Sequence, residues 1–235
     1  MGDSVAAGAG LNAYPADSCN RSQSAYPYLV AAALKYTLVN VTCAGAKTTA
    51  GILQPQGPYA PQLPKLFDAG TPKLVTITVG TNDIDWTSAI MSCYQLQCSA
   101  ATLPANVKAA ESVLRTNMHE VLDDISNHYG NHAPEVIVTG YYQAFSAAAT
   151  CSDLRGADPV TLAASANAVM GSLNQTIEGS TSAYLFARFA PVDFIGHELC
   201  TAEPWVQGLS DKAPFHPTAG GQSAYAKAVE VAIKR

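Results

Sequence analysis

Charge is what this sequence has least of. Lys, Arg, Asp and Glu supply 13% of its 235 residues, the net charge is −5, and no Lys/Arg cluster or basic stripe occurs. A nucleic acid or an anionic membrane surface therefore finds nothing to hold, and neither is expected as a partner. Long apolar runs are missing too. None approaches the roughly 20 residues a bilayer span needs, so no integral membrane segment is expected. No internal repeat or low-complexity tract occurs, and the length fits one α/β domain over residues 1–235 with a real core. Nor is there a C-x-x-C pair. Metal sites usually show closely spaced Cys or His ligands, and only Cys93 and Cys98 lie near each other. No metal is expected, and a redox protein working through Cys93 and Cys98 is disfavoured by their spacing.

What is present begins with the cysteines. There are six, at 19, 43, 93, 98, 151 and 200. An even set without a metal pattern reads as disulfides made in an oxidising, extracellular compartment. Nearest-neighbour pairing is the expectation: Cys19–Cys43, Cys93–Cys98 and Cys151–Cys200. The chain opens Met1-Gly2-Asp3 with no signal peptide before it, which fits a mature secreted chain or a truncated one.

Hydrophobic patterning gives alternating strands and helices. Lys73 to Val79 and Glu135 to Gly140 are β-branched runs ending in glycine, the mark of buried parallel strands. Tyr184 to Phe189 is a weaker third strand, and Leu38 to Thr42 a short fourth. Apolar residues recur at helical spacing from Leu103 to Tyr129 and stop at Gly130. Further helices are expected over Pro159 to Ile177, Thr218 to Lys234, and Ser24 to Leu34, the last interrupted at Pro27. Such alternation predicts a parallel sheet with helices on both faces. Gln54 to Gly70 and Asp85 to Leu103 each read as a loop or broken helix, and long loops on this scaffold gather near the ligand.

Four short blocks carry residues suited to acyl transfer: Gly2-Asp3-Ser4 with Gly8, Cys43-Ala44-Gly45-Ala46, Gly80-Thr81-Asn82-Asp83, and Phe215-His216-Pro217. Each is a weak signal alone. Together, and in this order across the whole chain, they resemble the SGNH (GDSL-type) hydrolase family, in particular its secreted actinobacterial esterases and lipases with three disulfides. The resemblance implies a flavodoxin-like three-layer α/β/α sandwich with a central parallel sheet. It also implies a serine esterase or lipase that needs no cofactor and acts on small-molecule or lipid esters, expected here as a monomer. In the family the block serine attacks, the glycine and asparagine blocks help form the oxyanion hole, and the late histidine is the base. That carries the nucleophile to Ser4, the base to His216, and the oxyanion donors to the Ser4 N–H, Gly45 and Asn82.

The chemistry asks for the same residue types independently. An activated hydroxyl needs a base within reach and donors aimed at the developing oxyanion. Small neighbours leave Ser4 exposed on a tight turn, and Asn82 directly follows a buried strand. Asp83 reads as a turn or scaffold residue. Among the five histidines, His119, His128 and His132 belong to the long helix and its polar end, and His197 to a possible site rim. His216, between Phe215 and Pro217, is rigidly presented, with a reference pKa near 6.5 that suits a base. Ile84, Trp86, Ile90, Tyr141, Tyr142, Phe145 and Trp205 are candidates for an acyl pocket and equally for core packing.

Two departures from the family pattern stand out. The position three before the histidine is Ala213, where an acid is usual, and the nearest acid is Asp211. The histidine is therefore oriented by a main-chain carbonyl near Ala213, by Asp211, or by neither in a Ser–His dyad, with the carbonyl favoured. In the family a central strand precedes Gly-Asp-Ser and here only Met1 does, so a chain that begins at Met1 is expected to lack that strand and to have a compromised core. A secreted glycan- or lipid-binding protein that keeps the fold without catalysis is the alternative; the retention of all four reacting residues favours an enzyme.

Overall fold

A computed structural model describes residues 1–12, 18–94 and 103–234. Its centre is a parallel sheet of three strands in the order β1 (Leu74–Ile77), β2 (Glu135–Thr139) and β3 (Ala187–Ala190). Leu74 pairs with Glu135 and Val136 with Ala187, so β2 is flanked on both edges. Val136, Ile137 and Val138 are all fully buried, which explains why this strand reads as an unbroken apolar run.

Two long helices, α5 (Leu103–Tyr129) and α6 (Pro159–Thr181), pack against each other on one side of the sheet. Their buried residues Leu114, Met118, Val121, Leu122 and Ile125, and Leu162, Ala166, Val169, Leu173 and Ile177, recur every three or four positions. Burying each large aliphatic side chain contributes about 2 kcal/mol. On the other side α7 (Ala219–Ile233) lies on β2 and β3 with α2 (Tyr26–Leu34) beside it, joined through stacked Tyr26 and Tyr225. The result is the three-layer α/β/α fold. No helix of the described residues is long and apolar enough to cross a membrane.

Several boundaries differ from the sequence expectation. Pro27 sits in the first turn of α2 and opens that helix instead of interrupting it. The stretches 54–70 and 85–103, each expected as a loop or broken helix, contain the short helices α3 (Gln62–Asp68) and α4 (Trp86–Tyr94). Leu38 to Thr42 forms no strand. Asn40 accepts both the Thr42 N–H and its hydroxyl, and Arg21 donates to the Asn40 carbonyl, so local side-chain bonds replace a ladder. β3 begins three residues later than predicted, because Tyr184 turns aside to donate to Asp123.

Met1 to Asp3 lie alongside the end of β1. The Asp3 N–H donates to Thr78 O at 2.9 Å, Gly2 bridges Thr78 in parallel, and Gly2 O accepts the Cys43 N–H at 3.0 Å. These residues thus occupy a strand position between the sheet and the Cys43 turn. Disulfides join Cys19 to Cys43 and Cys151 to Cys200. The expected Cys93–Cys98 pair lies outside the described side chains.

Candidate active site

The segment bearing Ser4 is one turn of helix, α1 (Ser4–Ala7). Asp3 caps it by accepting the Val5 N–H at 2.9 Å, and Gly8, at φ 79°, ends it in the left-handed region. So short a helix has little stability of its own. Three buried glutamines compensate by binding its main chain. Gln62 accepts the Gly2 N–H at 2.7 Å and donates to Gly2 O at 2.9 Å. Gln222 accepts the Tyr26 N–H at 2.7 Å and donates to Val5 O at 2.9 Å. Gln207 donates to Ala9 O at 2.9 Å.

His216 stands on the loop before α7, and its Nε2 lies 2.7 Å from the Ser4 hydroxyl. Its Nδ1 lies 3.0 Å from the carbonyl of Pro214. A carbonyl only accepts, so the proton belongs on Nδ1 and Nε2 presents its lone pair to the Ser4 O–H. Burial holds the imidazole below its ordinary pKa, opposed by the carbonyls of Pro214 and then Ala213. The ring is therefore neutral at neutral pH, as a base must be.

The orienting carbonyl nearest the ring is that of Pro214, one residue beyond Ala213. Ala213 O accepts the main-chain N–H of His216 at 3.2 Å, which turns the chain so that the following carbonyl meets the ring. Asp211 is engaged elsewhere: its carboxylate accepts the Gly208 N–H at 2.7 Å and closes its own turn. Phe215 adopts φ 62° and is held by Tyr142, whose hydroxyl donates to Phe215 O at 2.5 Å.

A cavity of about 60 Å³ opens at the pair, with Ser4, Asn82 and His216 on its wall and Trp86, Tyr142 and Met170 among its apolar lining. Asn82 donates from Nδ2 to Ala46 O at 3.0 Å, which fixes its amide and leaves the second N–H for a ligand. Gly45 is exposed, stands outside the cavity wall, and lies in a turn tied down by Ala46 N–H to Cys43 O and Ala44 N–H to Cys19 O. Asp83 anchors the next stretch, accepting the Thr48 N–H at 3.0 Å and the Thr48 hydroxyl, while Asn117 donates to that hydroxyl at 2.9 Å. Larger concavities lie elsewhere, a 510 Å³ trough beside Met1 and a 600 Å³ groove between β3 and α7, and neither is lined by Ser4 or His216.

Of the acyl-pocket candidates, Trp86, Tyr141 and Tyr142 line the cavity. Ile84, Ile90 and Phe145 are core residues, and Trp205 stacks at 3.8 Å on His197, away from the cavity. His119 contacts Tyr184, and His128 stacks on Phe67. Sequence reasoning missed the carboxyl of Asp3. It is fully buried and accepts from Tyr141 at 2.6 Å and from Thr81 at 3.2 Å. Burial pushes its pKa up to about 6 against the pull of those hydrogen bonds. The glutamines were missed as well, since buried amides bonded to main chain leave no sequence pattern.

A family described as GDSL-like lipase/acylhydrolase matches residues 1–224. Lipase 1 of Streptomyces coelicolor is 32% identical over 233 residues, covering 95% of this chain and 81% of that protein. A lipase of Streptomyces rimosus is 32% identical over 232 residues with the same coverage. Among solved structures, the extracellular lipase from Streptomyces rimosus superposes with a TM-score of 0.78 at 29% identity, covering 98% of this chain and 97% of that one. Phospholipase A1 from Streptomyces albidoflavus shares the fold, with a TM-score of 0.75 at 24% identity over 98% of this chain and 96% of that one.

Proposed function

The chain belongs to the GDSL-like lipase/acylhydrolase family, and on that premise we propose that Ser4 attacks the ester carbonyl while His216 takes its proton. The enzyme is a serine-dependent carboxylic-ester hydrolase acting on lipid-like or small acyl esters. The observation that carries the residue assignment is the 2.7 Å contact between Ser4 Oγ and His216 Nε2 across 212 residues of sequence.

As Oγ bonds to the carbonyl carbon, its proton passes to Nε2, and the imidazolium is steadied through Nδ1–H by Pro214 O. The carbonyl oxygen becomes negative and is received by the Ser4 N–H and the Asn82 amide, which line the cavity as Gly45 does not. Losing one such donor typically costs about 3–4 kcal/mol of barrier stabilisation. Collapse expels the alcohol, which takes the proton from Nε2 and leaves an acyl-Ser4 ester. Water, deprotonated by His216, then attacks that ester, and the acid departs. The acyl group rests against Trp86, Tyr142 and Met170.

The two disulfides and the extracellular lipase among its relatives support secretion. The test of the assignment is Ser4→Ala against a chromogenic ester and a fluorophosphonate. Turnover, the product burst and labelling should all vanish while the fold is kept. Retained turnover overturns it.

A further inference from the structure

Gln207 is buried, and its main chain and side chain both face the catalytic pair's supports. Its N–H donates to His216 O at 2.8 Å and its carbonyl accepts the Phe215 N–H at 2.9 Å. Its amide nitrogen donates in two directions, to Ala9 O at 2.9 Å and to Pro217 O at 3.1 Å. The amide oxygen accepts the Ala213 N–H at 3.4 Å. Ala9 lies just beyond the helix of Ser4, and Pro217 directly follows His216. The fit is close: a Cβ on Gly10 would lie 2.2 Å from the amide oxygen.

Neither partner of the pair has a long element under it. Ser4 stands on a single helical turn, and His216 follows a residue in the left-handed region, a conformation that costs a bulky side chain about 1–3 kcal/mol. Gln62 and Gln222 fix the serine segment to α3, α7 and α2 without touching the histidine loop. Of the three glutamines, Gln207 alone spans both.

We propose that Gln207 is a positioning residue for ester hydrolysis, tying the segment that leaves Ser4 to the loop that carries His216 so that Oγ and Nε2 stay at transfer distance. The proposal rests on the assignment of Ser4 and His216 as the reacting pair. Gln207 is outside the cavity lining, so its loss acts on the transfer step and not on substrate binding. A misplacement of about 1 Å is enough to cost about a hundredfold in rate.

The experiment compares wild type with Gln207→Met, which keeps the length of the side chain, and Gln207→Asn, which keeps the amide but shortens its reach. Active sites are counted by fluorophosphonate titration, so that unfolded protein does not enter the rate. Both variants should lose about tenfold to a hundredfold in kcat per titrated site with KM within about twofold. The acid limb of kcat/KM should move to higher pH, because a loosened loop lets water reach the His216 ring. Tyr129→Phe, which removes the hydroxyl's hydrogen bonds to Leu66 O and Gly70 O far from the site, serves as the destabilised control and should change neither kcat nor the limb. If Gln207→Met does not fold, Gln207→Asn is read by the same criteria. A wild-type kcat and acid limb in the Gln207 variants, with only Tm lowered, overturns the tie and leaves the Ser4 assignment standing. Turnover by Ser4→Ala overturns the assignment itself.

Discussion

The carboxyl of Asp3 lies one residue from the proposed nucleophile, fully buried and satisfied by Tyr141, Thr81 and Val5. Its pKa rises from 3.8 to about 6 on folding, so the folded state holds its proton more tightly than the unfolded state does. Between those values the folded chain binds the extra proton, and stability therefore falls as pH rises across that window. The contribution is complete below the lower value and lost above the upper one, amounting to about 3 kcal/mol at most. Asp3→Asn should flatten this slope. Urea midpoints for wild type and variant, measured from pH 4 to pH 8, should diverge, with the variant gaining relative stability as pH rises. Parallel curves would mean that Asp3 keeps an ordinary carboxyl pKa in the fold.

At the scale of elements, α1 depends on how it ends. Gly8 is at φ 79°, and a Cβ there would lie 2.7 Å from Ala25 Cβ, itself buried at the start of α2. Gly8→Ala combines a left-handed alanine with a steric overlap, and should destabilise by about 2–4 kcal/mol, read as a lower urea midpoint at unchanged m. The long elements were legible because burial imposes a period. Residues 103–129 form one helix, as the spacing predicts, and β1 and β2 follow their β-branched runs. Short elements carried too little periodicity to be bounded: α3 and α4 lie inside stretches that read as a loop or broken helix. The apolar run at 38–42 misled for the opposite reason, since Asn40 satisfied the backbone locally. At the candidate site, the sequence blocks of Ser4, Asn82 and His216 meet at one cavity, whereas Gly45 lies outside its wall. The glutamine ties were not legible, because Gly2, Val5 and Ala9 are held by main-chain atoms that every residue has.

At the scale of the whole molecule, two covalent links among the described residues brace loops that the sheet does not reach. Cys151–Cys200 joins residues 49 apart, next to the bridge between Phe145 and Leu199, and Cys19–Cys43 holds the Gly45 turn across 24 residues. The loop-entropy relation gives about 4 and 3.5 kcal/mol for them. The double variant Cys151→Ser with Cys200→Ser should lower the guanidinium midpoint by a corresponding amount, and an unchanged midpoint would show that packing alone holds this region. The 212 residues between the two halves of the proposed catalytic pair also impose an order in time. A ribosome makes the Ser4 hydroxyl 212 residues before the His216 ring, so the proposed pair cannot form until that intervening length has been synthesised. On the proposed assignment, hydrolysis begins only when the loop before α7 docks and brings His216 to Ser4.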